Sequence, residues 1–80
     1  MKRKIHIKEL DYWTKNKSDE RKVSTTDVEF TKYLMAVFPD CLMERIDKDS
    51  KLTRYIIQYK TKISINQLIR QHQIIMQKLS

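Results

Sequence analysis

The stretch "CLMERIDKDSKLTRYIIQYKTK", residues 41–62, decides the fold because it contains two candidate strands on either side of a short polar connection. Both flanks are rich in Ile, Leu, Tyr and Thr, which fit strands. The connection around residues 47–51 is short enough for a hairpin loop of three to five residues. In the second strand Tyr55, Ile57 and Tyr59 alternate with more polar positions. This period of two predicts a β-hairpin whose Tyr/Ile face packs on the core.

The segment before this hairpin predicts a helix. Thr26 and Glu29 have the spacing of a capping box, in which the two side chains satisfy each other's unpaired backbone N–H groups. The apolar positions that follow recur at helical spacing: Phe30, Tyr33, Leu34 and Val37. Pro39 cannot continue a helix and restricts the residue before it. The helix is therefore predicted from about residue 27 to residue 37 or 38.

The segment after the hairpin, "SINQLIRQHQIIMQKLS", predicts a second helix over residues 64–80. Ser64 and Gln67 form a second capping box. At 100° per residue, one side of this helix is apolar except for a histidine, and it holds Ile65, Leu68, Ile69, His72, Ile75, Met76 and Leu79. We interpret this stripe as the core face. His72 is then a half-buried helix histidine rather than a ligand.

Two segments precede the first helix. Residues 2–10, "KRKIHIKEL", alternate between basic and apolar positions, which predicts a half-buried strand. Residues 11–25 are polar and have no clear period, so they are predicted to form a long loop. Tyr12 and Trp13 begin that loop, and a buried Trp contributes a large apolar area, so we favour both as anchors on the core. The alternative is an exposed stacking pair beside neighbouring lysines.

These elements predict one small α+β domain over residues 1–80, with the order β-α-β-β-α. Its architecture is a two-layer sandwich, in which a three-stranded antiparallel-type sheet carries two helices on one face. The other face of the sheet is then open to solvent. The residues expected on that open face are Lys2, Lys4, His6, Lys8, Arg54, Gln58 and Lys60.

The composition argues against an enzyme. The chain has no glycine, so no Walker A loop, dinucleotide fingerprint or glycine-built nucleophile elbow can be written. His6 and His72 have no metal-binding spacing, and Cys41 is the only cysteine. We therefore expect a non-catalytic protein without a metal, a cofactor or a small-molecule substrate. No apolar run is long enough to span a membrane, and we expect a cytoplasmic location.

The charge favours a polyanionic partner. The formal net charge is +7, and the last thirty residues carry six basic groups and no acidic group. Lysine and arginine hold nucleic-acid phosphates and release their counterions, so we expect an accessory or regulatory factor of phage or mobile-element type that contacts DNA or RNA. The predicted nucleic-acid-binding residues are Lys2, Lys4, His6, Lys8, Arg54, Lys60, Arg70, Gln71 and Lys78.

Protein–protein association is the competing interpretation. Ile74 lies opposite the apolar stripe of the last helix, in a face that is otherwise polar, and Gln77 lies beside it. A homodimer through this face, or an inhibitor or modulator of another protein, would use these residues.

The predicted element order and the motif Phe38-Pro39-Asp40 after the first helix resemble the DinI-type modulators of RecA filaments. Those proteins carry a strongly acidic last helix, whereas this one is basic. The resemblance therefore implies only a small regulator that acts on another protein.

Overall fold

A computed structural model describes residues 7–15, 18–48 and 52–79 of the chain. Its fold is α+β, with two helices and an antiparallel sheet of four strands in the order β1-β2-β4-β3. The elements in chain order are β1 (Asp11–Thr14), β2 (Glu20–Thr25), α1 (Val28–Val37), β3 (Leu42–Lys48), β4 (Leu52–Lys60) and α2 (Ile65–Leu79).

The predicted hairpin of residues 41–62 is confirmed. β3 and β4 pair antiparallel from Leu42 opposite Gln58 to Lys48 opposite Leu52. Ile57 and Tyr59 of β4 are buried, because their side of the strand faces the helices. They join Val23 of β2 and the helical residues of the core cluster, which is Val23, Phe30, Leu34, Ile57, Tyr59 and Leu68.

The prediction of a long loop over residues 11–25 is wrong, because this segment forms the β1–β2 hairpin. Asp11 lies opposite Ser24 and Thr14 lies opposite Arg21. β2 also pairs along its length with the central strand β4. The alternation of apolar residues that would predict a strand here is weak, because Val23 is the only aliphatic residue of β2 that faces the core. Its backbone groups are satisfied by strands on both sides, so the segment needs few apolar side chains to be a strand.

The predicted first strand is also corrected. Residues 7–10 form no strand, and residues 1–6, which include most of that prediction, lie outside the described residues. Among the described residues the element order is therefore β-β-α-β-β-α, with four strands in place of the predicted three. This order removes the topological part of the resemblance to DinI-type proteins.

Helix α1 has nearly the predicted bounds but a different N-cap. The Asp27 carboxylate, rather than the Thr26 hydroxyl, accepts the N–H of Phe30 at 3.0 Å. A carboxylate also interacts favourably with the positive end of the helix dipole. The Asp27 N–H donates to Thr25 Oγ1 at 3.0 Å, which fixes the entry into the helix. The helix ends at Val37, and the N–H of Phe38 still bonds to the Leu34 carbonyl at 2.8 Å.

Helix α2 begins as predicted, since the N–H of Gln67 donates to Ser64 Oγ at 3.2 Å. Leu68 and His72 are buried at the centre of its apolar stripe. Ile75 is not, because it lies at the margin of the stripe and 43% of it is exposed. Within the described ranges, neither helix is long and apolar enough to cross a bilayer.

Candidate functional site

The sheet has one covered face and one open face. Residues directly opposite on neighbouring strands share a face, and Val23 and Ile57 mark the face that the helices cover. The opposite face carries a transverse row that runs through all four strands. The members of that row are Trp13, Lys22, Gln58 and Leu42, and all are exposed.

Trp13 belongs to this open face, so its prediction as a core anchor is wrong. Half of its surface is exposed (50%), and the Lys22 ammonium lies over its ring at 5.6 Å from the centroid. Tyr12 does pack against the core, as predicted. The two aromatic residues differ because successive side chains of a strand point to opposite faces. The cation–π contact leaves Trp13 as an exposed aromatic surface with a positive charge beside it.

The end of the sheet next to Trp13 forms an open cleft of about 1010 Å³, which we call the sheet-end cleft. Tyr59 lines it from the buried side and stacks on Phe38, with ring centroids 4.5 Å apart. The Tyr59 hydroxyl is buried and has no hydrogen-bond partner among the described residues. Burial is the main cause that raises the pKa of this hydroxyl, and the neighbouring Tyr12 adds to it. The hydroxyl is therefore neutral at physiological pH.

The charges that line the sheet-end cleft are mainly positive. The cationic side chains are Lys15, Arg21, Lys22 and Lys60, and the acidic ones are Glu20 and Asp40. One pair is matched, since Lys15 Nζ lies 3.6 Å from Glu20 Oε2 at an exposed position. Arg21 Nη1 donates to the backbone carbonyls of Ser18 and Glu20 at 2.7 and 3.0 Å, which positions the guanidinium without cancelling its charge.

Arg54, a predicted nucleic-acid residue, lies on the open face but in a different electrostatic setting. Its Nη2 lies 2.7 Å from Glu9 Oε2, and its Nη1 lies 3.6 Å from Asp11 Oδ2. Nη1 also donates to Ser24 Oγ at 2.8 Å. These contacts connect β4 to the segment before β1, where Glu9 has a left-handed backbone (φ 45°). Two carboxylates already balance the charge of Arg54.

Those of the remaining predicted binding residues that the structure describes do not form one surface. Lys60 lines the sheet-end cleft. Lys8 lies in the turn before β1, where its N–H donates to Asp27 Oδ2 at 3.3 Å. The exposed positions of α2 belong to the helical layer, on the other side of the core; they are Arg70, Gln71 and Lys78. Lys2, Lys4 and His6 lie outside the described residues.

The predicted protein-interface residues are exposed on α2. Ile74 exposes 40% of its surface, and its neighbour Ile75 exposes 43%. Gln77 is exposed one turn further along. Each isoleucine is therefore a separate exposed apolar position on the helical layer.

His72 lies on the inner side of α2, and its setting is structural. It is 3% exposed, and its ring lies 5.3 Å from the ring of Phe30 and 5.2 Å from that of Tyr33. Burial lowers the pKa of His72, against the opposing charges of Asp27 and Glu29. No group of three metal-ligating side chains occurs within residues 7–15, 18–48 and 52–79.

Sequence reasoning missed Arg21 and Lys22 as site residues because their strand was assigned to a loop. The pattern Arg21-Lys22-Val23-Ser24-Thr25 alternates in polarity. Read as a strand, it would have placed the Lys22 side chain on the face away from Val23. The proximity of Lys22 to Trp13 depends on the β1–β2 register, which the pattern does not contain.

Comparisons of this chain with protein-family models, with curated proteins and with solved structures give no match.

Proposed function

We propose that this protein is a small, basic, non-catalytic binding protein that contacts single-stranded DNA or RNA at the sheet-end cleft, as an accessory or regulatory factor. The observation that supports the proposal is the half-exposed Trp13 on the open sheet face, with the Lys22 ammonium 5.6 Å from its ring centroid. The cationic lining of the cleft and the net charge of +7 agree with it.

An exposed aromatic ring next to cations suits an unpaired nucleotide. A base stacks on an aromatic side chain whatever its identity, and such stacking contributes roughly 1–3 kcal/mol per base. Lysine and arginine beside the ring hold the phosphates that flank the stacked base. In a duplex the bases are already stacked on each other, so a flat sheet face with one exposed indole favours a single strand.

The cleft distributes these roles over different strands. Trp13 of β1 provides the stacking surface. Lys22 of β2 faces the same side of the sheet as Trp13, and so does Gln58, which lies opposite Lys22. Lys60 of β4 is two residues after Gln58, so it faces that side as well. No ion pair involves either lysine among the described residues. Both ammonium groups are therefore available to phosphates.

The sequence offers a direct reporter, because Trp13 is the only tryptophan. Tryptophan fluorescence should be quenched when an oligo(dT) or oligo(U) of about 12 nucleotides is added, since a base would stack on the indole. The apparent affinity should fall as salt rises, because the bound phosphates release counterions. An equally long duplex should bind more weakly and should quench less.

Two charge reversals identify the binding surface. Lys60→Glu and Arg70→Glu change the net charge equally, but Lys60 lines the cleft and Arg70 lies on the helical layer. We expect Lys60→Glu to weaken binding of a labelled oligonucleotide about tenfold or more, and Arg70→Glu to weaken it only slightly. Equal losses in both variants would indicate general charge attraction, and a larger loss in Arg70→Glu would move the site to α2.

A second function has one specific observation in its favour. Ile74 is an exposed apolar residue in the otherwise polar outer face of α2, where it could lie at the centre of a contact with a protein. If no oligonucleotide quenches Trp13 at low salt, the nucleic-acid proposal is wrong and this protein-binding alternative takes its place. Loss of a captured partner or of self-association in Ile74→Lys would then support it.

A further inference from the structure

Strand β3 is an edge strand of the sheet, and its charged residues follow a particular pattern. It pairs with β4 on one side, and no described strand covers its other side. From Leu42 to Arg45 its residues are exposed on both faces of the sheet, and Asp47 is exposed as well. An edge strand presents free backbone N–H and C=O groups, which are a template for another strand. The helices therefore leave one long edge of this sheet open.

The charges of β3 are self-complementary about Ile46. The sequence Glu44-Arg45-Ile46-Asp47-Lys48 reads acid, base, apolar, acid, base. If an identical strand runs antiparallel with Ile46 opposite Ile46, every charged position meets a position of opposite sign. Arg45 then faces Asp47 of the second copy, and Glu44 faces Lys48. By the two-fold symmetry each of these matches occurs twice.

Neighbouring registers bring like charges together. A shift that places Arg45 opposite itself, or Asp47 opposite itself, pairs two identical charges on the two-fold axis. Those are shifts by two residues from the register centred on Ile46. A shift by one residue in either direction places Glu44 opposite Asp47, or Arg45 opposite Lys48. Like charges directly opposite each other destabilise a sheet, whereas opposite charges stabilise it. The charge pattern thus selects the register centred on Ile46 over these neighbours.

Arg45 and Asp47 already contact each other within one chain. Arg45 Nε lies 3.3 Å from Asp47 Oδ1, and Thr53 Oγ1 donates to the same carboxylate oxygen at 2.5 Å. Both Arg45 and Asp47 are more than half exposed. A second copy would add the reciprocal Arg45 and Asp47, which gives four alternating charges on one side of the joined strands.

We propose that this chain forms a symmetric homodimer by antiparallel pairing of β3 with β3 of a second copy, with Ile46 on the two-fold axis. The result is a continuous eight-stranded sheet in the order β1-β2-β4-β3-β3-β4-β2-β1. Directly opposite residues share a face, and this register pairs even positions with even positions. Both open faces, each with its sheet-end cleft, therefore lie on the same side of the dimer.

One strand pair buries less surface than a standard protein interface, so the dimer should be concentration-dependent, with a dissociation constant in the micromolar range. Sedimentation equilibrium over a series of protein concentrations measures it. The dimer should also weaken at high salt, because its specificity comes from exposed charges.

Charge-swap variants test the register. Arg45→Asp leaves two acids and Asp47→Arg leaves two bases at these positions, so each variant alone should dimerise about tenfold or more weakly than the original chain. An equimolar mixture of the two variants should dimerise again, since each supplies the charges that the other lacks. The double variant, Arg45→Asp with Asp47→Arg, should also recover self-association. Circular dichroism of each variant checks that the fold is kept.

A disulfide provides a second measurement. In a Cys41→Ser background, Ile46→Cys should form an interchain disulfide on mild oxidation, because the two cysteines lie directly opposite each other. Glu44→Cys is the matched control, since it faces position 48 and should cross-link far less. A chain that stays monomeric at all concentrations overturns the proposal. So does a dimer that ignores the swaps and is lost in Ile74→Lys, which would place the interface on α2.

Discussion

The two ends of the open sheet face carry similar cations in opposite settings. At one end Arg54 is matched by Glu9 and Asp11 and is connected to Ser24. At the other end Lys22 lies over the exposed ring of Trp13, and no carboxylate of the described residues pairs with it. Arg54 therefore stabilises the fold, whereas Lys22 is available to bind a ligand.

This difference shows why net charge alone does not locate a binding surface. The chain carries seventeen Lys and Arg residues, and each would count equally toward attraction of a polyanion at long range. At contact distance only those without an internal partner bind a phosphate without first breaking an ion pair. The comparison therefore predicts opposite consequences for substitutions at the two ends.

The largest expected effect comes from a matched pair of substitutions, Arg54→Met and Lys22→Met. Each removes one positive charge and keeps an unbranched side chain. Arg54→Met should lower the free energy of unfolding by about 1–2 kcal/mol, because it removes hydrogen bonds between charged groups. Lys22→Met should change stability by less than about 0.5 kcal/mol but should weaken oligonucleotide binding severalfold. Urea denaturation and fluorescence titration measure the two quantities.

The opposite pattern would contradict the comparison. If Arg54→Met weakened binding as much as Lys22→Met while stability stayed unchanged, Arg54 would belong to the binding surface. Its ion pairs with Glu9 and Asp11 would then exchange for phosphate.

A smaller effect should follow from pH, and it concerns the covered face of the sheet. Because burial lowers the pKa of His72, the folded chain disfavours the protonated ring and the unfolded chain accepts the proton more readily. Stability is therefore complete above the ordinary histidine pKa of about 6.5, is lost as pH falls below it, and stops falling beneath the lowered pKa. Thermal denaturation across this window should show the loss.

His72→Phe should flatten the pH dependence, since it keeps a ring between Phe30 and Tyr33 but cannot titrate. His6→Gln assigns the effect, because His6 is the only other histidine in the sequence. A pH profile that persists in His72→Phe and vanishes in His6→Gln would exclude His72 as its source.

A small effect on stability, with the opposite sign to most core substitutions, is expected for Tyr59→Phe. The Tyr59 hydroxyl is buried without a partner among the described residues. Its removal should therefore leave stability unchanged or raise it by up to about 1 kcal/mol. A clear loss of stability would show that the hydroxyl already has a partner in the folded chain.

The predictable parts of the fold are those with strong local periodicity. The alternation of Tyr55, Ile57 and Tyr59 predicted β4 and its buried side, and the spacing from Ser64 to Gln67 predicted the cap of α2. The N-cap of α1 was misplaced by one residue because Thr26 and Asp27 are both good caps, and only the geometry selects between them.

The candidate site was less predictable because it depends on distant parts of the chain. Lys60 was named from the sequence, and it lines the cleft. Lys22 was not named, because β2 shows only one inward aliphatic residue and becomes a strand through its pairing with β4, whose paired residues lie 30 to 40 positions later. The neutralisation of Arg54 depends on Glu9, which is 45 residues away.

The sequence by itself determined the α+β class, the β3–β4 hairpin, the two helices and the excess of positive charge, because periodicity, capping and composition are local properties. Only the tertiary structure decided that residues 11–25 form a hairpin, that Trp13 faces outward and that Arg54 is paired within the chain. The physical reason is that strand pairing and ion pairing satisfy groups that are far apart in sequence. A local pattern indicates which groups of a segment must be paired or buried, and the tertiary structure decides which other segment pairs with them.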